Sequence, residues 1–433
     1  MDRLPPAAGF FDPTPMILLQ NIQFDGAPVN LFIQGQRICR ILPYPETGGL
    51  TADETVDCTG KAVIPGFVNM HTHAAMVLLR GITEDVPLHD WLSRIWAMEA
   101  KMDEDFIYWG TKLACLEMIK SGTTTFNDQY WFAPFARDAA VEMGIRPYIS
   151  FVILDNFNKE TAEKQRRKCL KLYERSLDWS EASHLAMSVH SVYTVSEEMI
   201  LWASDFAREH GMKLHIHVSE TEKEDIDCRK AHNGLSPTEY LDSLGVLGPH
   251  VIAAHSLWLS DHDVELMGRH KVNCVHNINS NAKLSSGYRF RYDELRDAGA
   301  NVCLGTDGAS SSNNLDMLET MKTTALFQKA WRKDPSRMPL HELMDAATIN
   351  GGRALGIDTG EIREGALADL SIVDIDNSYF LSPGSFLANL VYTAHSDVIS
   401  SVIAQGRFVM RDRVVEGEAE ILSEARKVLK QIL

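Results

Sequence analysis

The chain has 433 residues, 45% hydrophobic and 23% charged, with 42 Lys plus Arg against 59 Asp plus Glu and a formal charge of -17. That length buries a large core, and an acidic surface repels a phosphate backbone, which argues against a nucleic-acid partner. No run approaches the roughly 18 apolar residues of a membrane span, so no membrane partner is expected; the seven cysteines, widely spaced and without C-x-x-C, suit neither a disulfide framework nor a thiolate zinc cluster.

Residues 1–15 have no basic segment leading into a long apolar run, so they read as a disordered leader rather than a signal peptide. Together with the scattered thiols this places the protein in a reducing, cytoplasmic setting. Residues 16–63 then alternate short strands and turns, as in ILLQNIQF, APVNLFIQG and RICRIL. From residue 64 the style changes. Eight short apolar runs follow: 61–70 (which begins just before the change), 123–128, 146–154, 185–193, 213–220, 250–258, 272–277 and 301–307. Helical patterns lie between most of them, such as 105–122 and 196–211, the latter stopping at Gly211. Eight strands alternating with helices predict an α/β fold, a parallel (β/α)8 barrel of TIM type over 64–365. Residues 366–417 return to short strands, so both ends are expected to form one small β-sandwich domain. Residues 418–433 read as a terminal helix.

Chemistry collects where the barrel strands end. His71-Thr72-His73 follows the first run directly. Alternation along a strand points 71 and 73 the same way, and at a strand's C-terminal end that way is the mouth of the barrel. Two imidazoles there make a metal clamp. His217 closes another run and offers a third ligand; His215 shares its parity one layer deeper, where it is expected to be packed and hydrogen-bonded. Glu220, just past the strand, is placed to move a proton without ligating. His255 ends the next run. Asp307, in LGTDGA, ends the eighth, where a carboxylate among apolar residues needs a partner or an ion.

The segments PGFVNMHTH, HVSET, AAHSLWLS, HNINSNAKL and LGTDGASSSNNLDM resemble the amidohydrolase superfamily, in particular its aminohydrolase branch of 5-methylthioadenosine/S-adenosylhomocysteine deaminases, guanine deaminases and chlorotriazine hydrolases. The resemblance spans nearly the whole chain. It implies one divalent ion on His71, His73, His217 and Asp307, most simply Zn²⁺, although iron, manganese or nickel suit the same ligands. A second ion is not expected, because the fourth run, LAMSVHSVY, has no lysine to form a bridging carbamate. In the implied reaction Asp307 and His255 orient the attacking water, and Glu220 protonates the ring nitrogen beside the attacked carbon.

The same resemblance has His190 contact a purine, Trp91 pack near the ligand and Glu99 accept ribose hydroxyls. The arginines that hold a homocysteine carboxylate in relatives have no clear counterpart: the matching positions fall at Phe151 and near Gln165, with Arg166 and Arg167 adjacent. The expectation is hydrolytic deamination of an adenine nucleoside: 5-methylthioadenosine, S-adenosylhomocysteine, 5′-deoxyadenosine or adenosine. The alternatives are a related hydrolase of guanine, a pterin or a chlorotriazine, and a non-catalytic scaffold that keeps the fold. The expected partner is a small heterocyclic molecule, and relatives of this kind are often homo-oligomers.

Overall fold

Gly66 divides the first apolar run in two. In the computed structural model, which describes residues 15–86 and 88–432, Lys61–Pro65 belongs to one sheet and Phe67–Thr72 to another. A Cβ on Gly66 would stand 2.3 Å from the Thr124 side chain, so glycine lets the chain pass between the sheets. The run over 61–70 reads as one strand because both halves are largely buried and neither alternates. The expected leader lies outside the described residues, apart from Pro15.

Phe67–Thr72 begins eight parallel strands that neighbour one another in chain order: Thr123–Tyr130, Arg146–Ile153, His184–Ser191, Leu214–Val218, Val251–His255, Asn273–His276 and Asn301–Leu304. The chain leaving the eighth strand returns to the first. Asp307 N donates to His71 O at 2.9 Å, Thr306 N to Asn69 Oδ1 at 3.0 Å, and Asn69 Nδ2 to Thr306 Oγ1 at 2.7 Å. The fold is therefore a (β/α)8 barrel.

The connecting helices carry their own start and stop signals. Asp103 caps Glu104–Lys120 by accepting from Phe106 N, with Glu104 and Asp105 in the first turn and Lys120 in the last, as the helix dipole favours. Glu197–Glu209 ends one residue before the cap His210. Gly211 follows in the left-handed region at φ +65°, as a helix stop requires.

Both chain ends build a second sheet. Its order runs Arg407–Met410, Ile399–Ala404, Leu370–Asp374, Lys61–Pro65, Met16–Phe24, Ala27–Gln34 and Arg37–Pro43, with Glu54–Asp57 also paired to Met16–Phe24. Leu19, Ile22, Leu31, Ile33, Leu370, Ile372 and Ile403 share one core. Strands from both chain ends thus share one core, separate from that of the barrel. Glu418–Ile432 is a helix, and its Ile421, Ala425, Val428 and Ile432 are buried in the barrel's main apolar cluster. All seven cysteines are free.

Candidate metal centre and active site

The strand ends bring His71, His73, His217 and Asp307 together. Asp307 Oδ1 lies 3.4 Å from His71 Nε2 and 3.3 Å from His73 Nε2, and His217 Nε2 lies 3.4 Å from His73 Nε2. Thr72, between the two histidines, turns to the neighbouring strand, where its hydroxyl donates to Asp128 Oδ1 at 2.7 Å. The same oxygen accepts from Ala74 N at 2.7 Å. Asp128 thus pins the segment on both sides of His73.

Each imidazole is held through its far nitrogen. His73 Nδ1 donates to Gln129 O at 2.6 Å and His217 Nδ1 to His190 O at 2.8 Å, which leaves the Nε2 lone pairs facing each other. His71 Nδ1 lies 2.9 Å from His215 Nε2, and Asn127 Nδ2 stands 3.1 Å from the other nitrogen of His215. His71 Nε2 is buried without a hydrogen-bond partner. Donor atoms each about 2.0–2.1 Å from a tetrahedral ion lie roughly 3.3–3.4 Å from one another. The measured separations match that figure, and an ion would satisfy the orphaned Nε2 of His71. These residues could hold a metal ion. Asp307 is held well below the ordinary carboxylate range: burial opposes its charge, and His71 and His73 override burial.

His255 also groups with His71 and Asp307, their donor atoms lying within 4.8 Å of one another, so it stands within reach of the same ion. Its Nδ1 accepts from Asn281 Nδ2 at 3.0 Å and is 3.4 Å from Asn277 Nδ2, so the proton of the neutral ring sits on Nε2. Burial pushes its pKa down to about 4. Its Nε2 lies 3.8 Å from Glu220 Oε2. Glu220 is itself buried, and burial, reinforced by the Asp307 charge, pushes it up to about 8. A carboxylic acid that keeps its proton at neutral pH stands beside the cluster. His255 (φ +72°), Asp307 (φ +64°) and Ser219 (φ +52°) all occupy the left-handed region, which side chains enter at a cost and which gathers at functional sites.

The amidohydrolase family model matches residues 62–409. The chain belongs to the amidohydrolase family. It is 42% identical over 409 residues to a 5-methylthioadenosine/S-adenosylhomocysteine deaminase of Archaeoglobus fulgidus, covering 93% of this chain and 95% of that one. It is 41% identical over 427 residues to a 5′-deoxyadenosine deaminase of Methanoregula boonei, covering 97% and 96%. A solved adenosine deaminase from Xanthomonas campestris with bound zinc superimposes with a TM-score of 0.90 at 30% identity, covering 96% and 98%.

In this amidohydrolase one cavity connects the cluster to the remaining expected residues. His73, His217, Glu220, His255 and Asp307 line it, and so do His190, Trp91 and Glu99. His190 Nδ1 faces the hydroxyls of Thr194 and Ser191 at 2.8 and 3.1 Å, and burial keeps its ring neutral, with a pKa of about 3. Trp91 is buried with an unpartnered indole N–H. Glu99 Oε1 accepts from Tyr130 OH at 2.8 Å, and burial raises its pKa. The helix Leu88–Glu99 gives this cavity Leu88, Trp91, Leu92, Ile95, Trp96 and Glu99, one stripe at helical spacing.

Sequence reasoning passed over Trp96, Tyr193 and Asp128. Asp128 carried the same signal as Asp307, a carboxylate near the C-terminal end of a barrel strand. A second cavity of about 910 Å³ shares Trp96, Glu99, Trp131 and Leu154 with the first and opens outward along Lys159–Ser176. Arg166 and Arg167 do not line it. Arg166 pairs with Glu198 and lies over the Trp202 ring, and Arg167 is exposed. Gln165 spends both ends of its amide on the backbone of Leu154 at 2.9 Å each.

Proposed function

We propose that this amidohydrolase deaminates an adenine nucleoside, adding water at the amine-bearing carbon and releasing ammonia and the inosine analogue. The observation that carries this reading is the buried Glu220 placed 3.8 Å from His255 Nε2 and beside the cluster of His71, His73, His217 and Asp307. His71, His73, His217 and Asp307 would hold the ion, which we assign as a single Zn²⁺. When bound, a divalent ion of this kind acidifies water near neutral pH. Glu220 delivers its proton to the ring nitrogen beside the reacting carbon and later assists departure of the amine. Asp307 takes a proton from the attacking water and returns it to the departing amine. His255, with its N–H directed to the reacting centre, stabilises the developing oxygen charge, and the new hydroxyl gives its proton back to Glu220 as the amine leaves. Neutral His190 offers the purine a hydrogen-bonding edge. Glu99 keeps acceptor capacity beyond its bond from Tyr130 and takes ribose hydroxyls.

The names of the relatives and the zinc in the Xanthomonas structure support the same reading. The test is a panel of nucleosides, free purines, pterins and chlorotriazines scored for product, with metal analysis of the same sample. Ammonia from adenine nucleosides with loss of adenine absorbance is expected; none from any purine would overturn the proposal. Replacing Glu99 by Gln separates ribose recognition from ring recognition. It should raise KM for nucleosides about tenfold, whereas an enzyme that reads only the ring would not respond.

The outward Arg166 and the occupied Gln165 also bear on the 5′ substituent. Among the described residues no arginine lines the inner cavity, and Arg175 lines only the outer one, whereas bidentate capture of a carboxylate needs an arginine beside it. We therefore expect kcat/KM for 5-methylthioadenosine and 5′-deoxyadenosine to exceed that for S-adenosylhomocysteine by about tenfold or more, as read from initial rates on the three compounds. Equal rates would remove the substituent preference and leave the deaminase reading intact.

A further inference from the structure

Two helices of the barrel start with a reciprocal cap. Ser236 and Ser260 accept from the N–H of Glu239 and Asp263 in the third helical position, and those carboxylates accept in return from Ser236 N at 2.7 Å and Ser260 N at 2.8 Å. The helix Glu222–Ala231 begins the same way, with Thr221 accepting from Glu224 N at 3.1 Å. Its third-position acid departs from the pattern. The Glu224 carboxylate reaches past the cap: Oε1 accepts from Ser219 N at 3.0 Å and Oε2 from Glu220 N at 2.7 Å. Glu224 is buried, and among the described residues no cation pairs with it. Those two amides, with the N–H of Thr221 beside them, are what makes its burial tolerable.

The two amides belong to the turn that presents Glu220. Ser219 holds φ +52°, and its carbonyl accepts from Leu257 N at 3.1 Å and Trp258 N at 2.9 Å. Val218 O accepts from Ser256 N at 2.9 Å. Those three donors directly follow His255. Residue 219 is thus tied on its N–H side to Glu224 and on its carbonyl side to the turn that carries His255. We propose that Glu224 is a positioning residue: by holding the left-handed turn at Ser219 it fixes the Glu220 side chain relative to His255. This rests on the catalytic reading of Glu220 given above.

The experiment compares Glu224→Gln and Glu224→Ala with the wild type, using kcat, KM and bound metal, at a temperature where circular dichroism shows each protein folded. Wild-type turnover on the panel decides the deaminase reading by itself. The ratio of variant to wild type, on whichever substrate the wild type uses, decides this one. Alanine removes both acceptors and should lower kcat per bound metal at least 30-fold with KM within about threefold. Glutamine keeps one acceptor oxygen and should recover part of the loss, staying about five- to tenfold below wild type. A kcat per bound metal within threefold of wild type in the alanine variant overturns the proposal, as does a loss confined to KM or matched by lost metal. If the alanine variant does not fold, the isosteric glutamine variant decides: a fall in kcat of threefold or more at constant metal content sustains the proposal, and a smaller one overturns it.

Discussion

Glu220 shows how burial can convert an ordinary acid into a proton store. Its folded pKa of about 8 lies above the ordinary 4.5, so the folded state holds a proton that the unfolded state has released over the interval between them. The sign follows from linkage. The stability this group contributes is complete below about pH 4.5 and is lost as pH rises toward 8. At about 1.4 kcal/mol per pKa unit, the loss is a few kcal/mol. Thermal unfolding of the metal-free protein should therefore show Glu220→Gln gaining Tm over wild type at pH 8 but not at pH 4.5. An equal difference at both values would refute the protonated assignment. In the metal-loaded enzyme the same substitution should lower kcat about a thousandfold with bound metal unchanged, checked by steady-state rates and metal content. The principal side chains were legible because their residue types recur at strand ends. Their supports were harder to see. Glu224 acts through backbone amides and Asp128 through one amide and the Thr72 hydroxyl, and spacing alone does not say which donors a carboxylate will reach.

At the scale of elements, the site depends on how closely the ends of the first and eighth strands approach. A Cβ on Gly305 would lie 2.6 Å from Asn277 Oδ1 and 2.9 Å from both His71 N and His71 Cβ. Backbone cannot give way as a flexible side chain can, so Gly305→Ala should displace His71 and weaken metal retention at least tenfold, as measured by competition with a chelator. Retention equal to wild type would mean the two strand ends tolerate separation. The eight runs were readable in the sequence because consecutive parallel strands buried on both faces are short and apolar. The break at Gly66 was not, since a crossing between sheets leaves no polar interruption. For Leu88–Glu99 the resemblance pointed to Trp91 and Glu99, but not to the rest of the stripe. That apolar stripe reads as a face packed on protein, and in the fold it also walls the cavity.

For the molecule as a whole, the barrel and the small sheet are joined through buried polar groups as well as apolar ones. Asp369, fully buried, accepts from Thr359 Oγ1 at 2.9 Å and Gln405 N at 2.7 Å and stands 3.7 Å from Arg146 at the base of the third barrel strand. Removing one partner of a buried ion pair leaves the other charge uncompensated, at a cost of about 3–5 kcal/mol. Asp369→Ala should therefore lower the urea midpoint markedly, while the enzyme that remains folded keeps the wild-type KM. An unchanged midpoint would show the pair to be dispensable. That both ends share a domain was visible in the sequence as a return to short alternating strands. Their pairing order was not, because register across so long an insertion is set by the barrel that separates them.

The pairing of Lys61–Pro65 with Leu370–Asp374 has a consequence for biosynthesis. On the order of 300 residues must be translated between these two strands, and domains of this size form as the chain emerges at about 5–20 residues per second. The strand that leads into His71 therefore leaves the ribosome tens of seconds before its neighbour exists. Throughout that interval its edge is uncovered, so the nascent chain has a window for chaperone engagement that closes only when Leu370–Asp374 arrives, about six sevenths of the way along the polypeptide.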